Sequence, residues 1–105
     1  MDEYVYRLIS ERIPQKVSCR YRKDGDHYLA YSFITNGTVS SLNRLAGEIL
    51  ELCDGCHSIG DITDLLSERY SEVSKIVIGN DVMRCVRDLE RKNLVTVVAS
   101  DGISG

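Results

Sequence analysis

Two hydrophobic periods divide the chain. Up to about residue 41 apolar positions recur every second residue: Val17, Cys19 and Tyr21 alternate with Lys16, Ser18, Arg20 and Arg22 before the turn residues Asp24-Gly25. A return strand is expected over about residues 27–34. Asn36-Gly37 is a second turn signal, and the short β-prone run Thr38-Val39-Ser40-Ser41 predicts a third strand running back antiparallel.

Beyond that point the period becomes 3.6. Leu42, Leu45, Ala46, Ile49, Leu50 and then Leu52 or Cys53 mark one face of a helix, which Asn43 can cap and Gly55 terminates. Ser58 with Asp61 forms a capping-box pattern ahead of the stripe Ile59, Ile62, Leu65, Leu66 and Tyr70. A loop over about residues 71–77 is expected next. Asn80 is the expected cap of a third helix with Asp81 at its positive end, whose buried stripe is Val82, Cys85, Val86 and Leu89 and which ends near Asn93. The apolar run beginning at Leu94 and closing at Ala99 can pair as a wing strand. The order predicts a winged-helix-like α+β domain: an N-terminal three-stranded antiparallel sheet, three helices and a C-terminal strand.

Residues 1–15 mix Tyr4, Tyr6, Leu8, Ile9 and Ile13 with charges and fit a first strand or a short helix equally well, with Pro14 expected to end either. With 105 residues there is room for one domain over 1–99, its core at 16–94, and 100–105 reads as a small polar tail. A hydrophobic share of 43% with 28% charged residues is ordinary for a soluble globular chain. The net charge of −3 argues against a surface built wholly for nucleic acid. No apolar run approaches membrane-span length and Met1-Asp2-Glu3-Tyr4 lacks a secretory pattern, so a cytoplasmic protein with reduced Cys19, Cys53, Cys56 and Cys85 is expected.

Cys53-Asp54-Gly55-Cys56-His57 has the C-x-x-C-H spacing of covalent haem attachment. Haem c would require export, a second axial ligand and an apolar pocket. A redox dithiol belongs at a helix N-terminus, where the dipole favours the thiolate, whereas Cys53 falls at a helix C-terminus. A zinc site would need two further ligands, and His27, His57 and Cys85 offer no second paired motif. The stretch therefore reads as a helix terminator, and no cofactor, metal or catalytic residue is expected.

Arg84, Arg87, Arg91 and Lys92 project from the third helix, which in a winged-helix arrangement is the one that enters a DNA groove. Asp81, Asp88 and Glu90 share that helix, and such a mixed face suits an acidic peptide better than DNA. The third strand, if outermost, presents unpaired backbone groups that can accept a peptide strand, and an exposed edge also offers a route to a homodimer.

From about residue 17 to residue 94 the sequence resembles the PqqD-like family of RiPP recognition elements, which bind leaders of ribosomally made, post-translationally modified peptides. The resemblance is carried by Gly37, Leu42-Asn43, Ala46, Ile49-Leu50, Ile59, Ile62, Tyr70, Asp81-Val82 and Leu89, and most specifically by Leu52-Cys53-Asp54-Gly55. It implies a non-catalytic peptide chaperone that presents a precursor peptide to a modifying enzyme such as a radical SAM enzyme, cyclase or protease. It further implies leader addition along Thr38, Val39, Ser40 and Ser41, with Met83, Arg84, Arg87 and Arg91 as groove wall and Val86 or Leu94 at its floor. The competing reading is a winged-helix DNA-binding or regulatory domain.

Overall fold

The change of period at Asn43 is where sheet gives way to helix in the computed structural model, which describes residues 10–17, 19–34 and 39–98. The meander consists of β2 (Cys19–Asp24), β3 (His27–Ser32) and β4 (Val39–Leu42), antiparallel and in that spatial order. Asp24 pairs with His27, leaving Gly25-Asp26 as a two-residue hairpin loop whose first position, Gly25, has φ +65°. Glycine adopts that left-handed conformation at the least cost, and the tight turn keeps the strands in register. Tyr28, Ala30 and Ser32 turn inward and are buried, as period-two alternation requires.

A separate two-stranded ladder joins β1 (Ile13–Lys16) to β5 (Val95–Val98). The wing strand thus exists, but it pairs with the segment before the meander. Pro14 does not end that segment, as the sequence suggested; it lies within β1 opposite Val97, buried, and its carbonyl accepts from the Gly55 amide at 3.1 Å. A strand with one partner tolerates a residue that has no N–H to give.

The helices are α1 (Arg44–Leu52), α2 (Ile59–Arg69) and α3 (Lys75–Arg91). Asn43 caps α1 by accepting from the Ala46 amide at 2.8 Å, and Ser58 with Asp61 completes the reciprocal box at the start of α2. The third helix begins five residues earlier than Asn80: Ser74 is its N-cap, Asn80 and Asp81 lie mid-helix, and residues 75–77 are helical rather than loop. Ile76-Val77-Ile78-Gly79 are weak helix formers, yet burial of Ile78 and Gly79 in the tertiary packing outweighs propensity. Its far end is a Schellman closure, with Asn93 at φ 60° and the Leu94 amide donating to the Leu89 carbonyl at 3.0 Å.

The core lies between the inner sheet face and the helices, with Ile49, Leu50, Cys53, Ile62, Leu66, Val82 and Leu89 each fully inaccessible. Gly47, in mid-α1, presses directly on the Tyr28 ring, so a side chain there would collide with it. Through that contact α1 packs closely against β3.

Candidate functional site

The strand β4 is one edge of the meander and passes through the single cap residue Asn43 into α1. Along an extended strand successive residues turn their backbone groups to opposite sides, so on β4 alternate N–H and C=O groups point away from β3, and no described strand pairs with that side. Val39 is 62% exposed and lies on the outer sheet face beside Leu29 and Tyr31, whereas Leu42 is buried.

Where β4 reaches Asn43, a groove of about 620 Å³ opens between the start of α1 and the outer surface of α3. Asn43, Leu45 and Ala46 form one wall; Asp81, Arg84, Cys85, Arg87, Asp88 and Arg91 form the other. Arg84, Arg87 and Arg91 are spaced three and four residues apart and so share one helix surface. All three are exposed, and among the described residues no carboxylate pairs with any of them. Asp88 is taken up by Lys92 at 2.7 Å. The groove therefore offers three available guanidinium groups, although Asp81 and Asp88 on the same helix make it a poor match for a polyphosphate backbone.

At its α1 end the groove continues into a second hollow of about 380 Å³ between α1, the α2–α3 turn and the first half of α3. The sequence reading missed this hollow because its lining, Leu45, Tyr70, Val73, Ile78 and Val82, comes from three elements whose crossing no local pattern reports.

The predicted site residues separate into groups. Val39, Ser40 and Ser41 form the open edge, and Thr38 lies outside the described residues. Arg84, Arg87 and Arg91 meet in the groove. Met83 and Val86 do not line that groove: they are 6% and 2% exposed, turned into the core, and border a small hollow of about 70 Å³ with Arg12, Ile59, Glu90, Val97 and Arg87, the last of which borders both cavities. Leu94 is likewise a core residue at 1% exposure.

The Cys53 to His57 stretch proves to be a structural hub. Cys53 caps α1, its Sγ donates to the Ile49 carbonyl at 3.1 Å, and burial pushes its thiol up to about 12. Gly55 has φ +80° and donates to β1. The Asp54 carboxylate accepts from the Cys56 and His57 amides at 2.8 and 3.1 Å and pairs with His57 Nδ1 at 2.9 Å. Those bonds, led by the one from Cys56, hold its carboxyl down at about 2. Cys53 and Gly55 thus close α1 and dock β1, while Asp54 orders the loop that follows, and the Cys56 thiol stays exposed.

The fold and site define a small α+β domain whose β4 edge, without a strand partner on its outer side among the described residues, leads to a basic helical groove. The family model described as coenzyme PQQ synthesis protein D (PqqD) matches residues 24–95, and the chain belongs to that family. Curated relatives include the PqqA binding protein of Rhodopseudomonas palustris strain TIE-1, 39% identical over 54 residues, covering 51% of this chain and 52% of that protein. The PqqA binding protein of Bradyrhizobium diazoefficiens is 33% identical over the same length and coverage. The chain spans about half the length of these relatives. The solved structure described as TbiB1 in complex with the TbiA(beta) leader peptide matches with a TM-score of 0.67 at 20% identity, over 77% of this chain and 93% of that one. That likeness shows a shared fold and bears out the α+β architecture expected from the sequence.

Proposed function

We propose that this protein is a non-catalytic carrier that binds the leader of a ribosomally made precursor peptide and presents it to a modifying enzyme in the cytoplasm. The observation that carries the reading is that the β4 edge runs through Asn43 into a groove holding three arginines, and that among the described residues no strand pairs with that edge and no carboxylate pairs with those arginines. The PqqA binding role of the relatives, and the leader peptide in the TbiB1 structure, support the same reading.

In this mechanism a leader segment adds as a strand along Val39, Ser40 and Ser41, with Thr38 at its start. Main-chain hydrogen bonds set register, and the leader continues past Asn43 along α3. Acidic leader residues meet Arg84, Arg87 and Arg91, each exposed pair contributing roughly 0.2–1 kcal/mol. Burying an apolar side chain contributes about 1.5–3 kcal/mol before ordering costs, so apolar contacts supply most of the affinity. Met83 and Val86 serve from behind by seating α3. Tethering then raises the local concentration of the modifiable part of the precursor at the partner enzyme.

The test is an amide-shift titration with synthetic precursor leaders, beginning with a PqqA peptide of the kind the relatives bind. Shifts concentrated at residues 39–46 and 81–91 are expected. Shifts confined to other surfaces, or tight DNA binding with a steep salt dependence, would overturn the proposal.

A further inference from the structure

We propose that the hollow at the α1 end of the groove is an anchor pocket for one bulky apolar side chain of the bound peptide. The inference rests on the leader-binding reading above and adds a position-specific requirement to it. Leu45, Tyr70, Val73, Ile78 and Val82 give the hollow an apolar lining, and Val73 remains 37% exposed at its mouth. Asn43, Leu45 and Asp81 border both this hollow and the arginine groove, so a chain lying along α3 passes from one into the other.

The walls are held before any ligand arrives. Tyr70 donates its hydroxyl to Glu48 Oε1 at 2.7 Å, and Glu48 is in turn paired with Arg44 at 3.5 Å and Arg69 at 3.4 Å. The ring is thereby fixed as a rigid side of the pocket, and the single Glu48 charge is shared by two guanidinium groups, which leaves a net positive charge beside the ring. Preorganisation of this kind lowers the ordering cost of binding. Asp81 stands at the junction with no ion pair among the described residues, which disfavours an acidic side chain at that point and favours one farther along, at the arginines.

Spacing follows from element geometry. The axial distance from the level of Ile78 and Val82 to Arg84 and Arg91 is roughly 6–16 Å at the rise of an α-helix. An extended peptide covers that span in about two to five residues. The ligand class is therefore a linear peptide with a large apolar residue two to five positions from one or more carboxylates.

A displayed library of random linear peptides, selected against the wild-type protein and against Val73→Asp and Val73→Lys, tests this. Wild type is expected to enrich a bulky apolar residue at the stated spacing from Asp or Glu. Val73→Asp should lower that enrichment by about tenfold and replace it with Lys or Arg, while Val73→Lys should favour Asp or Glu at the same position. Thermal melts of both variants verify folding, and the wild-type selection tests the spacing independently of either. If all three proteins select the same acidic peptides without a fixed apolar position, the anchor pocket is refuted and groove binding stands. If none enriches any linear peptide, the leader-binding reading itself fails.

Discussion

Lys16 closes the C-terminal end of α1 against Cys53: its amide donates to the Cys53 carbonyl at 2.9 Å, and its ammonium donates to the same carbonyl at 3.3 Å and to those of Leu50 and Glu51 at 3.2 Å. A cation at the negative end of the dipole thus also fastens β1 to the helix. Replacing Lys16 by Met, which keeps the apolar stem, should cost roughly 1 kcal/mol. Urea unfolding measures it, and an unchanged midpoint would show that water satisfies those carbonyls equally well.

On β4, Val39 and Ser40 turn their N–H groups to opposite sides, so a proline scan separates binding from folding. Of Val39→Pro and Ser40→Pro, the one whose N–H faces outward should abolish leader binding with little change in melting temperature. The other should lower stability. If both variants bind the leader with wild-type affinity, strand addition is not the mechanism.

The acid limb of the stability curve should contain a contribution from Asp54. Its folded carboxyl is held down at about 2, led by the Cys56 amide and then the His57 ring. A depressed folded value means stabilisation that is complete above the ordinary carboxyl range near pH 4 and disappears as pH falls through about 2. Asp54→Asn keeps an acceptor for the two amides but removes the charge. Its melting temperature should therefore converge with that of wild type between pH 4 and pH 2; parallel curves would contradict the assignment.

Thiol reactivity should divide sharply. Cys56 is exposed, whereas burial pushes the Cys53 and Cys85 thiols up to about 12. A colorimetric thiol assay near pH 8 should show a fast phase that Cys56→Ser removes. Raised folded values stabilise below the unfolded thiol value and lose that effect as pH rises, so stability should fall from about pH 9 towards pH 12. A fast phase surviving in Cys56→Ser would place a reactive thiol elsewhere.

Gly47→Ala should destabilise although alanine is the better helix former by about 1 kcal/mol. The added methyl collides with the Tyr28 ring, and overpacking of this kind costs roughly 1–3 kcal/mol. Chemical denaturation decides between the two effects, and a more stable variant would mean that Tyr28 moves aside freely.

Features governed by neighbours in sequence were legible: the Asn43 cap, the Ser58–Asp61 box, the turn at Gly25 and the return strand after it all follow from local chemistry. Features decided by distant partners were not. The early start of α3 depends on burying Ile78, Pro14 sits in a strand because β5 returns to meet it, and the tolerance of α1 for Gly47 is set by Tyr28. Treating Met83 and Arg84 as one wall overlooked that adjacent helical residues point about 100° apart, so Arg84 faces the groove while Met83 enters the core. Arg84, Arg87 and Arg91 were legible as surface residues of the third helix because the buried stripe Val82, Val86 and Leu89 leaves them on its other faces.

The brevity of β4 bears on timing. A strand of four residues turns only alternate ones outward, which is too short a ladder to hold a guest for long by backbone bonds alone. Dissociation rate, rather than encounter rate, is where such complexes are adjusted. Under the proposed function, a carrier with so short a clasp would let its cargo go as soon as a partner removed the side-chain contacts, and handover would require no unfolding and no separate release step.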